Sequence, residues 1–281
     1  MKKISVVMLT YNTEQYVAEA IESVLKQSFS DFEFIIVDDG STDKTLSIVR
    51  SYKDERIKLI ENSRNHIGSL NIGLNSASSK YIARMDADDI MHIDRLKIQY
   101  AIMEEESSIT VCGSWMEPFG ENIPKGSVTQ TVFGLLKDPL LLMLKGNVIF
   151  PPTVMMRAEF LRTHNLQYED YEYAEDYKLW IEIAKKGGVF YVESQPLLYY
   201  RVSDQQMDAQ KREEQEKTAT KIKKEILEYL LELYSVTYPS CKKMAEALRC
   251  AKNEELVTDD EIFDFFFTLF AKNKNQLTVK I

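Results

Sequence analysis

Residues 34–43 read Phe34-Ile35-Ile36-Val37-Asp38-Asp39-Gly40-Ser41-Thr42-Asp43, an apolar run that breaks at once into turn formers and helix N-cap residues. That is a buried strand opening into a helix, and Leu46, Val49 and Tyr52 supply the helical spacing that follows. The same pattern lies upstream. Ile4 to Leu9 forms one strand, and Val17, Ala20, Ile21, Val24 and Leu25 then recur on a single helical stripe. Downstream, Ile57 to Ile60 is a third strand, and Tyr81 to Met85 is a fourth that runs directly into Asp86-Ala87-Asp88-Asp89. Between them Asn65, Gly68, Asn71 and Gly73 read as a looser segment. Strands alternating with helical periods predict α/β units around a Rossmann-like, mostly parallel central sheet flanked by helices.

A helix over 94–105 and a strand near 109–112 continue the pattern, which loosens between Gly113 and Pro139. The apolar run Val148 to Met156 is interrupted by Pro151-Pro152, where neither a helix nor a central strand continues. Glu175 to Lys186 reads as a helix with Leu179, Trp180, Ile183 and Ala184 on one face, ended by Gly187-Gly188. Strands near 189–192 and 197–201 close the α/β part. From about Asp204 the composition turns to Lys, Glu and Leu, with Ile222, Ile226, Tyr229, Leu230 and Leu233 at helical spacing. This is a C-terminal helical appendage. Its second apolar cluster, Ile262, Phe263, Phe266, Phe267 and Phe270, reads as core packing, with a homodimer interface or a membrane-surface foot as the other readings.

The 281-residue chain carries 35 Lys and Arg against 44 Asp and Glu, a formal charge of −9. Such a surplus of carboxylates does not favour a nucleic-acid binder, which must neutralise phosphates. No apolar run approaches the roughly 18 residues that cross a bilayer. Met1-Lys2-Lys3 followed by Ile4 to Leu9 imitates a leader, but Tyr11, Asn12 and Glu14 interrupt it, so the run is read as a strand. Cys112, Cys241 and Cys250 match neither a zinc site nor a disulfide framework, which favours a reducing compartment, cytoplasmic by default.

Two acidic clusters sit where parallel strands end, and open α/β sheets place their ligands at that rim. Asp86 and Asp88 at i and i+2 can converge on a hard divalent cation, with open positions for phosphate oxygens. Taken alone, an acidic triplet is more often a solvated turn or a helix cap. Asp39 can accept hydrogen bonds from a base or ribose, while Asp38 serves equally as a turn cap. Trp180 belongs to an apolar stripe and reads as core; Trp115 is open between core packing and sugar stacking. His66, His92 and His164 read as surface or loop histidines rather than ligands.

Read together, the motifs resemble the family 2 glycosyltransferases of GT-A fold. Ser5 to Asn12 looks like the opening strand and nucleotide-contacting turn, Ile36 to Asp43 like the second signature, and Tyr81 to Asp89 like the metal-binding DXD element followed by Asp94-Arg95-Leu96. Glu175 to Trp180 resembles the helix opening that carries the catalytic base, and Tyr199-Tyr200-Arg201 the strand near the end of the catalytic domain. The resemblance covers roughly residues 3–202. It implies a GT-A catalytic domain over 1–202, with a nucleotide-binding half (1–112) and an acceptor-binding half (113–202), and leaves 203–281 as the helical extension. It implies Thr10, Tyr11, Asn12 and Glu14 around the nucleoside, Asp39 on the base, Asp86 at the ribose or the metal, and Arg84 at the nucleotide or holding these carboxylates in place. Asp88, with Asp86, would hold Mn²⁺ or Mg²⁺, and Asp176, beside Glu175, would be the general base.

Many relatives carry a histidine shortly after the Tyr-Arg strand, where this chain has Ser203. The membrane helices and Gln-Arg-Trp motif of processive members are absent. The implied reaction is inverting transfer of a single sugar from a nucleotide-sugar, most often a UDP-sugar, to a saccharide or lipid-linked acceptor, with peripheral membrane contact if the acceptor is lipid-linked. The rival readings are a nucleotidyltransferase, against which the lack of a Gly- and Lys-rich phosphate loop counts, and a non-catalytic nucleotide- or saccharide-binding module.

Overall fold

The computed structural model describes residues 2–121, 123–202, 209–235 and 239–272. Four strands, β1 (Ile4–Thr10), β2 (Phe32–Asp38), β3 (Ile57–Glu61) and β4 (Tyr81–Asp86), lie parallel in the order β3-β2-β1-β4. β1, β2 and β4 are mostly apolar and buried because helices cover both faces of the sheet, whereas the edge strand β3 has no fully buried residue. Ile4, Val6, Met8, Phe34, Ile36, Tyr81 and Ala83 pack on the face of α1 (Val17–Leu25), α2 (Thr45–Ser51) and α4 (Arg95–Glu105). The alternate residues Val7, Ile35, Val37 and Ile82 pack on the face of α3 (His66–Ser76) and α7 (Glu175–Lys185). The same period of two carries Arg84 and Asp86 onto the Ile82 face, toward α7.

Beyond β4 the sheet is mixed. β8 (Met155–Arg157) pairs antiparallel with β4 and with β6 (Ile109–Phe119), and β9 (Val189–Arg201) runs parallel to β6. β5 (Ile90–Met91) and β7 (Gly134–Leu136) add to β9 antiparallel. The parallel expectation therefore holds for the first four strands, and antiparallel pairings dominate the rest.

Three local readings are corrected. Residues 66–76 form a helix: Asn65 caps it by accepting the Gly68 N–H at 3.0 Å, and Gly73 lets it lie so close to β1 that a Cβ there would sit 2.5 Å from Val7 Cγ1. Residues 113–119 continue β6 rather than starting a loop, so a boundary at 112/113 falls inside a strand and both halves share one sheet. The two strands expected after Gly188 are one, because Pro196 lies opposite Trp115 at a register shift where its missing N–H does no harm.

Pro151–Thr153 forms a 3₁₀ turn ahead of β8. Trp180 is fully buried, as its stripe implied. Trp115 is half-buried, donating Nε1–H to the Val132 carbonyl at 3.3 Å and meeting Phe133 edge-on. The segments α5 (Pro139–Met143) and α6 (Ala158–Thr163) complete the α/β part. After it come α8 (Ala209–Ser235), α9 (Ser240–Asn253) and α10 (Asp259–Lys272). Ile222, Ile226, Phe263, Phe266 and Phe270 join Leu179 and Ile183 of α7 in one hydrophobic cluster, so the aromatic stripe packs within its own chain. Ser203 and the start expected for the appendage fall outside the described residues. No helix among the described residues is long and apolar enough to cross a membrane, and all three cysteines are free.

Candidate active site

At the end of β4, Arg84 lies between two carboxylates. Its Nη2 is 3.2 Å from Asp86 Oδ1 and its Nη1 is 2.5 Å from Asp176 Oδ2, at the N-terminal turn of α7. Arg84 and Asp176 side chains are only 13% and 11% exposed, so this is an ion pair largely removed from water. Burial would lower the Arg84 pKa, but Asp176 and Asp86 hold it well above its ordinary value. Burial pushes Asp176 up to about 6, against the pull of Arg84 and with the repulsion of Glu175 and Asp86. Its other oxygen, Oδ1, is buried with no hydrogen-bond partner among the described residues.

Next to it, Glu175 Oε1 is 3.2 Å from His66 Nε2 at the start of α3. Burial raises Glu175, but the His66 hydrogen bond and the Arg84 charge outweigh it, leaving the carboxyl below its usual range; the same bond raises His66. His66 is exposed, as its reading as a surface histidine implied, yet its Nε2 reaches Glu175 beside Asp176. His92 and His164 make local contacts instead, Nδ1 of the first accepting the Asp94 N–H and Nδ1 of the second lying 3.0 Å from the Phe160 carbonyl.

The other acidic strand end connects to the same place. Asp39 is fully buried; its Oδ1 accepts the Asn65 N–H and the Ser69 hydroxyl, both at 2.7 Å, and its Oδ2 pairs with Arg64. The Arg64 guanidinium lies 3.7 Å over the Tyr11 ring. A continuous chain of contacts therefore runs Tyr11–Arg64–Asp39–Asn65, across the adjacent His66 to Glu175 and Asp176, and through Arg84 to Asp86. Asp38 caps its own turn by accepting the Ser41 N–H at 3.0 Å.

Asn12 and Glu14 have a role the sequence did not reveal. Asn12 takes a left-handed φ of 50° and its Oδ1 accepts the Thr42 N–H at 2.8 Å, while Glu14 Oε2 accepts the Lys44 N–H at 2.8 Å. They knit the loop after β1 to the loop after β2, building the rim on which Tyr11 stands. Thr10, buried, shares a 2.6 Å hydrogen bond with Thr13.

Asp86 and Asp88 are half-buried on successive sides of the turn that follows β4. Arg201 of β9 pins this turn, its Nε donating to the Asp88 carbonyl at 2.7 Å and its backbone N–H to Asp89 Oδ1 at 2.8 Å. Burial, with Asp86 and Asp88 nearby, pushes Asp89 up to about 9 and keeps it protonated at neutral pH. Among the described residues no cluster of three or more His, Cys, Asp or Glu side chains is arranged to hold a metal. The hard-oxygen pair Asp86 and Asp88 therefore fits a cation that takes one or two protein carboxylates and completes its shell with phosphate and water, and does not fit an all-protein cage.

A family model described as Glycosyl transferase family 2 matches residues 5–165, from β1 through β8 and into the turn after α6. The chain belongs to glycosyltransferase family 2. An uncharacterized glycosyltransferase of Haemophilus influenzae is 41% identical over 241 residues, covering 81% of this chain and 74% of its own. The UDP-Glc:alpha-D-GlcNAc-diphosphoundecaprenol beta-1,3-glucosyltransferase WfgD of Escherichia coli is 30% identical over 188 residues, 66% of this chain and 71% of its own. Among solved structures, TarS 1–349 of S. aureus in complex with UDP superposes with a TM-score of 0.61 at 25% identity, over 83% of this chain and 72% of that one. The match spans 60% of the same TarS fragment without ligand. This family 2 glycosyltransferase has the GT-A arrangement of a central sheet between helices.

Arg64 and His66 are the site residues that sequence reasoning missed. Each is a single charged or polar residue in a segment rich in Asn and Gly, where no periodicity or motif separates a site residue from a surface one.

Proposed function

We propose that this glycosyltransferase moves one hexose, with inversion, from a UDP-sugar to a saccharide or lipid-linked acceptor in glycan assembly. The observation that carries the reading is the contact chain joining Asp39, Asp176 and Asp86, which brings together the residues proposed to serve the nucleoside side, the proton and the cation. The name of WfgD, with its UDP-Glc donor and diphosphoundecaprenol acceptor, and the UDP complex of TarS support the same donor and acceptor classes. The cytoplasm is the compartment proposed, with contact at the membrane surface where the acceptor is lipid-linked; free cysteines agree with it.

The uracil edge alternates acceptor, donor and acceptor. Arg64, oriented by the buried Asp39, would donate to an acceptor of that edge, and Tyr11 beneath the guanidinium offers a flat face for the base. Asp88 and Asp86 would hold Mn²⁺ or Mg²⁺, which when bound offsets the charge of the departing diphosphate. Asp176 takes the proton from the acceptor hydroxyl, and Oδ1, which has no hydrogen-bond partner among the described residues, is the oxygen left for that proton. Arg84 keeps the base charged and oriented through Oδ2.

UDP with Mn²⁺ at about a hundred times its Kd is expected to stabilise the fold by about 2.7 kcal/mol, raising Tm by about 5 to 10 °C. Asp88→Asn is expected to remove that response. Thermal melts with UDP, GDP and each metal check it, and a wild-type Tm indifferent to every nucleoside diphosphate would sink the reading.

The pH dependence follows from Asp176. A base must be deprotonated, so kcat/KM, which reports free enzyme, is expected to fall about tenfold per unit below pH 6 and to level off above it. A limb near pH 4 would show that Arg84, not burial, decides its charge. The stability effect has the opposite sense. The folded chain holds this proton more tightly than the unfolded one, so the contribution is present below the ordinary pKa of 3.8 and is lost as pH rises through about 6.

A further inference from the structure

The turn that delivers Glu175 and Asp176 to the site also meets α8. Tyr173, two residues ahead of Glu175, has φ 58°, the left-handed region that a non-glycine residue enters at a cost. Its carbonyl accepts the Gln215 Nε2–H at 3.0 Å, from α8. The Tyr171 hydroxyl donates to Glu225 Oε1 at 2.6 Å, and the Lys221 ammonium lies 4.1 Å over the Tyr171 ring.

One turn into α7, Lys178 is 8% exposed and its Nζ reaches Glu225 Oε2 and Glu182 Oε1, each at 2.8 Å. Burial alone would lower its pKa, yet these two carboxylates raise it, so a charged lysine stands inside the α7–α8 seam. Farther along, Lys185 lies 5.6 Å over the Tyr229 ring. Contacts at 215, 225 and 229 thus match 173, 178 and 185 in the same order, and the two helices run side by side in one direction.

We propose that α8 is a positioning brace for the catalytic pair: Gln215, Lys221 and Glu225, acting through Tyr173, Tyr171 and Lys178, fix the turn that sets Asp176 against Arg84. The inference rests on the reading of Asp176 as the base and gives the C-terminal extension a task in the same reaction. Gln215, Lys221 and Glu225 act on the pair through Tyr173, Tyr171 and Lys178, so they are positioning residues. A base displaced by about 1 Å loses rate steeply, whereas the donor, held by β1, β2 and the turn after β4, does not sense the change.

The test uses the full chain. In Gln215→Ala, kcat is expected to fall about tenfold. The donor KM and the thermal response to UDP with Mn²⁺ are expected to stay at their wild-type values. Backbone amide exchange at 173–177 is expected to quicken relative to β1 and β4, and Gln215→Lys, which keeps an N–H donor of similar reach, is expected to recover both rate and protection. Glu225→Ala is expected to act in the same direction. An active enzyme whose kcat is indifferent to Gln215→Ala would overturn the brace, as would unchanged exchange at 173–177 or a loss of protection spread evenly over the sheet. Exchange needs no substrate, so it decides the brace even if wild-type enzyme consumes no nucleotide-sugar, a result that would remove the transferase reading instead.

Discussion

An Asp176→Asn variant is expected to lose transfer by about 10² to 10⁴ in kcat, the range that a positioned general base contributes. Donor binding is expected to survive. The substitution conserves volume, and Arg84 keeps Asp86 as a partner at 3.2 Å, so the guanidinium is not stranded. What disappears is the only group of the pair that combines a raised proton affinity, about 6, with an oxygen lacking a partner among the described residues. Glu175 is a poor substitute because its Oε1 is engaged with His66 and its pKa lies below the usual range. Single-turnover transfer measured beside a UDP–Mn²⁺ melt separates the two effects. Transfer within about tenfold of wild type would remove Asp176 from the role, since so small a loss is less than a positioned base supplies.

The largest expected effect on stability belongs to Arg95, which touches no substrate. It is fully buried at the start of α4, donating to the Pro152 carbonyl at 2.7 Å, the Arg84 carbonyl at 2.8 Å and the Val154 carbonyl at 3.1 Å, with Nε on Gln99 Oε1 at 3.0 Å. Burial brings its pKa down to about 10, so it is still charged at neutral pH. One side chain thus ties the strand that carries Arg84 and Asp86 to the Pro151–Thr153 turn. Arg95→Met keeps the apolar stem but strips a donor from the Pro152 and Arg84 carbonyls and from Gln99 Oε1, each costing about 1–3 kcal/mol when left unsatisfied, while the Val154 carbonyl keeps the Arg84 N–H at 3.0 Å. A loss of about 3–5 kcal/mol is expected, a large share of the usual 5–15 kcal/mol of a domain. Urea unfolding monitored by far-UV circular dichroism measures it. A midpoint within experimental error of wild type would mean that the carbonyls find other partners.

These residues mark where sequence reading stops. β1, α1, β2, α2, β3 and β4 were legible because each carries a local signal, a short β-rich apolar run for a strand or a stripe at 3.6 for a helix. The acidic strand ends were legible too, since a carboxylate beside a turn former leaves a local signature. α3 was not: Asn65, Gly68, Asn71 and Gly73 are weak helix formers, and the helix exists because Gly73 lets it settle on Val7. β9 ran past Pro196 for a similar reason, its partner Trp115 lying across a register shift. His66 and Arg64 became site residues only through partners far along the chain, His66 meeting Glu175 across 109 positions.

From its own residues alone the chain determined which segments are strands or helices, which motifs end them, and hence the family and the class of chemistry. Periodicity and turn preference act over a few residues and need no partner. Only the folded molecule decided that Arg84 pairs with Asp176 and Asp86, that burial pushes Asp176 up to about 6, and that α8 stands behind the turn ahead of α7. Ion pairing and desolvation depend on distance and exclusion of water between groups far apart in the chain, quantities that do not exist until the sheet and its helices have closed.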